Sequence, residues 1–314
     1  MELVVLSGKG GTGKTSMVGS LAALAENKVM VDCDVDAADL HLILKTKTTE
    51  SHDFVCGSKA SIDQDKCMVC GMCTPYCRFG AIKNEPDGSA KFGEIFRIDR
   101  YACEGCGVCT HFCPEDAIVM EEISSGRWFV SETDYGPLVH AKLGIAEANS
   151  GRLVSLLRQE AVKIAEEQKA DLIITDGPPG IGCPVIASLT GADFAMIVTE
   201  PTLSALHDME RLIQLAGHFN IPIGVCINKC DINPDLTDKI EQFVAKAGAE
   251  LLGRIKYDAQ FTKAQIKGLP LVEFSENGVS GQVREIWDRL QNRLRSLSET
   301  KANSNEKLIN LKLQ

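Results

Sequence analysis

Residues 2–7 form a short apolar run that stops at a glycine-rich turn, and Thr15 to Ala25 continue as an Ala/Leu-rich helix. Lys28 to Cys33 give a second β-type run, which ends in the acidic string Asp32, Asp34, Asp36 and Asp39. Between about 45 and 138 the rhythm breaks: long helical periodicity is lacking and Gly, Pro and Cys accumulate, which predicts an insertion. The pattern resumes at Asn149-Ser150-Gly151, a candidate cap for a helix through about Gln168. Asp171 to Thr175 then reads as a buried strand leading to Asp176-Gly177-Pro178-Pro179-Gly180. Three more strands are predicted at 194–199, 222–228 and Leu251 to Ile255, with helical patterns between them. Apolar strands alternating with amphipathic helices predict an α/β, doubly wound, mostly parallel sheet covered on both faces, with ligands at the carboxyl ends of the strands. The expected layout is therefore one domain split into 1–50 and 140–293, an inserted unit over 60–122, and a polar, fraying tail over 297–314.

The 314 residues carry 33 Lys+Arg against 43 Asp+Glu, a net charge of −10. That balance argues against a nucleic-acid partner, which would call for a clustered basic face. No stretch reaches the roughly 18 apolar residues of a membrane span, and nothing reads as a secretory leader. The expectation is a cytoplasmic protein without stable membrane insertion. Thirteen Cys are many for this length, and eight fall in two clusters, which points to metal rather than to disulfides.

Gly8-Lys9-Gly10-Gly11-Thr12-Gly13-Lys14-Thr15 fits G-x-x-x-x-G-K-[ST] between a strand and a helix. Its glycines let backbone N–H groups wrap phosphate oxygens of ATP, Lys14 is placed for the β- and γ-phosphates, and the Thr15 hydroxyl for Mg²⁺. Asp176, at the end of an apolar strand, is a candidate to hold a water of that Mg²⁺. With Lys9 as a second lysine in the loop, the segment resembles the deviant Walker-A ATPases, the MinD/ParA/Mrp class that also includes the nitrogenase iron protein. The resemblance implies an ATP-dependent homodimer in which Lys9 acts in trans on the partner's nucleotide; by itself Lys9 could also be a solvated loop charge. It further implies that Asp176 is the Walker-B residue, that Asp34 is catalytic and orients the attacking water, and that the Asn228 amide reads adenine. Glu200 and Pro201 would form another wall of the base pocket.

Cys67, Cys70, Cys73 and Cys77 recur as Cys103, Cys106, Cys109 and Cys113, each offset by 36, and Ala81-Ile82 recurs as Ala117-Ile118. Short C-x2-C-x2-C turns bring three thiolates to one iron–sulfur core while the fourth arrives from the other repeat. One 4Fe-4S cluster would then use Cys67, Cys70, Cys73 and Cys113, and the other Cys103, Cys106, Cys109 and Cys77. Zinc sites are the rival, but they need no third and fourth Cys at these spacings. Residues 60–122 resemble a bacterial two-cluster ferredoxin, except that Arg78 stands where that family has Pro; Arg78 could raise the adjacent cluster's potential. This stretch holds six Lys/Arg against eleven Asp/Glu, so a docking partner is expected to be basic. Cys183 follows Asp176 by seven residues, as a cluster-ligating Cys does in the nitrogenase iron protein; a buried apolar Cys is the other reading. Cys33, Cys226 and Cys230 read as core or loop residues, and Cys56 has no assignment.

The combination predicts a Mg²⁺-dependent ATPase with redox activity, passing electrons through two clusters to an acceptor under control of ATP. The alternatives are an iron–sulfur or metallocofactor carrier serving a client protein, and a positioning ATPase with structural or sensory clusters.

Overall fold

The computed structural model describes residues 1–144, 150–276 and 278–312, with side chains to residue 301. Asn149, one of the candidate caps, lies outside the described residues. The elements run β1 (Glu2–Ser7), α1 (Lys14–Leu24), β2 (Lys28–Asp32), α2 (Leu40–Ile43), β3 (Lys47–Ile62), β4 (Ile82–Pro86), β5 (Glu94–Ile98), α3 (Val108–His111), β6 (Ile118–Thr133) and β7 (Gly136–Leu143). They continue as α4 (Gly151–Gln168), β8 (Leu172–Pro179), α5 (Cys183–Leu189), β9 (Phe194–Thr199), α6 (Leu203–His218), β10 (Ile223–Ile227), α7 (Pro234–Lys246), β11 (Glu250–Arg254), α8 (Gln260–Ile266), α9 (Leu271–Phe274) and α10 (Val279–Lys312).

The chain divides into two units. The first comprises Met1–His52, Trp128–Lys142 and Ala148–Gln314; the second comprises Asp53–Arg127 and Leu143–Glu147. The sheet order is β11-β10-β9-β1-β8-β2-β7-β6-β3, and the pairings from β11 through β7 are parallel. Alternation along β1 explains why Leu3 to Leu6 are all apolar. Leu3 and Val5 enter one core with Met17 and Leu21 of α1 and Val283 and Leu290 of α10, while Val4 and Leu6 enter another with α5, α6 and α7.

One sequence expectation is corrected here. The break in the α/β rhythm is not all insertion: Lys47–His52 and Trp128–Lys142 are strand segments of the first unit. β6 and β7, neighbours joined by the two-residue turn Asp134-Tyr135, must run antiparallel, because a parallel pair needs a long crossover. The half-exposed pattern of β6 does not read as a buried parallel strand. The tail expected to fray from 297 continues α10 in helical backbone to Lys312. Ser150 does cap α4, accepting the Leu153 N–H at 3.3 Å, and Thr202 caps α6 through the Ala205 N–H at 3.2 Å.

Candidate functional site

β1, β2 and β8 are neighbours, and their carboxyl ends deliver one polar pocket. Asp176 of β8 lies in register with Val5 of β1 and with Asp32 of β2, so two buried carboxylates face the start of α1. Lys14, the first residue of α1, is 5% exposed; its ammonium donates to Asp176 Oδ1 and stands 3.2 Å from Asp34 Oδ2. Asp32 is spent on the main chain: its oxygens accept the Asp34 and Leu40 N–H groups at 3.1 and 3.2 Å.

Burial opposes the charge on Lys14, but Asp176, Asp34 and Asp32 outweigh it and hold the ammonium above its ordinary range. Burial likewise pushes the Asp32 carboxyl well up, aided by Asp176, and pushes Asp34 up against the pull of Lys14. Asp176 Oδ2 and Thr12 Oγ1 are buried without a hydrogen-bond partner among the described residues. An orphaned, fully buried carboxylate oxygen beside excess negative charge fits a hydrated Mg²⁺, which Asp176 and Thr15 would hold.

The phosphate loop is closed from the far side of the sheet. Asn228, following β10, donates from Nδ2 to Thr12 O at 2.8 Å and accepts the Lys229 N–H at 2.9 Å. Gly13 has φ +95°, and a Cβ there would lie 2.4 Å from Asn228 Nδ2; one on Gly8 would lie 2.2 Å from Asp208 Cβ. Gly13 is therefore favoured by its left-handed backbone as well as by contact, and Gly8 by its close approach to Asp208. The Asn228 amide here buttresses the loop, a role the sequence did not disclose.

Glu200 does not stand as a plain pocket wall. Its carboxylate bridges two lysines, Lys9 Nζ at 2.7 Å and Lys229 Nζ at 2.8 Å, and Lys229 also reaches Gly11 O at 3.0 Å. Burial raises the Glu200 carboxyl, but Lys229 and Lys9 together bring it below its usual range. Lys9 Nζ also lies within 3.4 Å of Thr202 Oγ1 and Ser204 Oγ, so it is a partnered residue rather than a free loop charge. Pro201 directly follows Glu200, and Gly10 is open to the side on which a Cβ would project.

The second unit contains a twofold repetition of detail. Cys67, Cys70, Cys73 and Cys113 line one cavity of about 350 Å³, and Cys77, Cys103, Cys106 and Cys109 line another of about 340 Å³. The crossed sets expected from the spacing are thus brought together, in cavities matched in size. The 36-residue offset extends to the backbone. The Ala81 and Ala117 N–H groups donate to Cys77 and Cys113 Sγ at 3.3 and 3.2 Å; Asp63 and Asp99 N–H donate to Ala117 O and Ala81 O at 2.8 Å. Left-handed residues recur at Val69 and Gly105, Gly71 and Gly107, and Gly80 and Asp116. All eight thiols are free, and no group of three or more His, Cys, Asp or Glu among the described residues is arranged to hold a single metal ion. Four thiols around one cavity are the donor set that a 4Fe-4S cubane takes, one thiolate to each iron.

The sequence profile of the CobQ/CobB/MinD/ParA nucleotide binding domain matches residues 3–271. The chain belongs to this family. A Methanocaldococcus jannaschii protein titled as uncharacterised is 36% identical over 93% of this chain and 96% of its own. The iron–sulfur cluster carrier protein of the same organism is 24% identical over 86% of this chain and 77% of its own. The crystal structure of the Pyrococcus furiosus cell division ATPase MinD covers 93% of this chain and 98% of that one, with TM-score 0.55 and 16% identity, a likeness of fold. The chain is thus a P-loop ATPase of the MinD/ParA family, and the matched residues include Gly8 to Thr15. No described helix is long and apolar enough to cross a membrane.

Of the remaining thiols, Cys33 and Cys226 are fully buried, and burial pushes Cys33 well up and Cys226 to about 12. Cys183 is exposed at the start of α5, not buried.

Proposed function

We propose that this chain is a Mg²⁺-dependent ATPase that controls electron transfer through two 4Fe-4S clusters to an acceptor protein. The observation that carries the reading is the pair of matched cavities, each with a complete set of four cysteines, in the same chain as a Lys14–Asp34–Asp176 nucleotide pocket. Bound clusters would supply one-electron chemistry. Four thiolates per cluster leave no coordination position open, which favours retention over release.

In the ATPase half, Lys14 exchanges its carboxylate partners for the β- and γ-phosphates when ATP binds. Asp176 and Thr15 would hold the Mg²⁺, which would supply positive charge against the phosphates. Asp34, with its carboxyl raised by burial, orients the attacking water and accepts its proton; a raised pKa makes the carboxylate a better base. Asn228 holds the loop through Thr12 O, and Lys9 leaves Glu200 for the partner's nucleotide as two copies close.

A second reading is an iron–sulfur carrier that hands a cluster to a client, supported by the carrier title of the 24% identical relative. One experiment separates the two. The anaerobically reconstituted chain is titrated for midpoint potential, and mixed with an apo-ferredoxin, each with and without a non-hydrolysable ATP analogue and Mg²⁺. A nucleotide-dependent potential with iron retained supports electron transfer. Nucleotide-dependent loss of iron to the apo-ferredoxin overturns it in favour of the carrier.

A further inference from the structure

The rings of Tyr76 and Phe112 lie face to face, centroids 3.5 Å apart and planes within 6° of parallel. They are equivalent residues of the two repeats, offset by 36. Each directly precedes the cysteine that crosses to the other repeat's cavity, Cys77 or Cys113. Core burial does not account for the contact, since the rings remain 45% and 38% exposed. Tyr76 and Cys77 also end a tight turn, with the Cys77 N–H on Thr74 O at 3.1 Å; Phe112 and Cys113 end its counterpart, with the Cys113 N–H on Thr110 O at 3.5 Å. A ring fixed at one of these positions therefore fixes the thiol beside it. The partner of each ring is the equivalent ring, so both crossing cysteines depend on one joint. Met68 lines the first cavity and Phe79 the second; Tyr76 also borders the second directly, so Phe112, which lines neither cavity, reads the joint most cleanly.

We propose that the Tyr76–Phe112 stack is a positioning device shared by both metal sites: it sets the two crossing cysteines together, and losing either ring loosens both clusters equally. This rests on the reading of the cavities as cluster sites. The test is iron release from the reconstituted full-length chain to a ferrous chelator, followed by absorbance. Phe112→Leu and Tyr76→Leu should each release all of the iron about three- to tenfold faster in a single phase, the range expected from one aromatic pair. Tyr76→Phe keeps the stack and should release at the wild-type rate, whereas Met68→Ala should accelerate only half of the iron. If the leucine variants do not fold, as read by thermal melting without metal, Phe112→Met and Tyr76→Met take their place. Acceleration of only half the iron by a ring variant, or wild-type release from both, overturns the shared device and leaves the cluster reading standing. A wild-type chain that reconstitutes no sulfide overturns the cluster reading, and the device with it.

Discussion

Lys9 Nζ sits 2.7 Å from Glu200 Oε1 within one chain, so the lysine expected to serve a partner's nucleotide is held at home by a carboxylate that also grips Lys229. Glu200→Gln removes the charge that retains it and keeps the side chain's size. Dimerisation driven by a non-hydrolysable ATP analogue should tighten by up to about fivefold, the worth of a partly exposed ion pair. Lys9→Ala should weaken the same equilibrium while leaving monomer nucleotide affinity little changed. Equilibrium sedimentation reads both; a wild type that stays monomeric with the analogue would remove the trans role.

Lys14→Ala should abolish nucleotide binding and also lower thermal stability, because it leaves Asp176, Asp34 and Asp32 without their cation. Asp34→Ala should bind ATP and hydrolyse it about 10²- to 10⁴-fold more slowly, the usual contribution of a positioned base. Since the Asp34 carboxyl is raised, the acid limb of wild-type kcat/KM should fall above the ordinary carboxylate range of about 4. Unchanged turnover in Asp34→Ala would transfer the role to another carboxylate.

Anaerobic Cys113→Ser should lose the cluster of Cys67, Cys70 and Cys73 and keep the one nearer in sequence, because Cys113 lines the first cavity. Electron paramagnetic resonance of the reduced protein, compared with Cys77→Ser, distinguishes the two signals. Loss of the same signal in both variants would refute the crossing.

His140 of β7 is buried, its Nε2 2.9 Å from Ser131 Oγ and its ring stacked on His41 5.6 Å away. Burial first, then His41, lowers its pKa to about 4. The folded state thus binds the proton less readily than the unfolded chain, where histidine titrates near 6.5. Its stabilisation is complete above about 6.5 and is lost as pH falls toward about 4, amounting to about 3 kcal/mol. Denaturant melts across that window should show this slope in the wild type and a flatter one in His140→Gln.

The parallel core was legible because its strands are apolar on both faces and end in Gly, Asp or Asn, as β1 ends before Gly8 and β10 before Asn228. Cysteine spacing alone gave the crossed sets. Relations that cross long sequence distances were hidden. Glu200 between Lys9 and Lys229, and Asn228 against Thr12, 216 residues apart, arise from strand order, which no local pattern encodes. The strand segment Lys47–His52 is exposed and polar, and β6 is half-exposed, so neither stands out from a loop in the sequence.

The crossing of Cys77 and Cys113 makes the repeats indivisible. A chain cut between them would give two fragments, each with three cysteines for one cavity and a fourth belonging to the other. Neither half is a smaller version of the whole. A single repeat could complete its set only by meeting a second copy of itself, so holding both repeats in one chain turns a bimolecular assembly into a unimolecular one without concentration dependence.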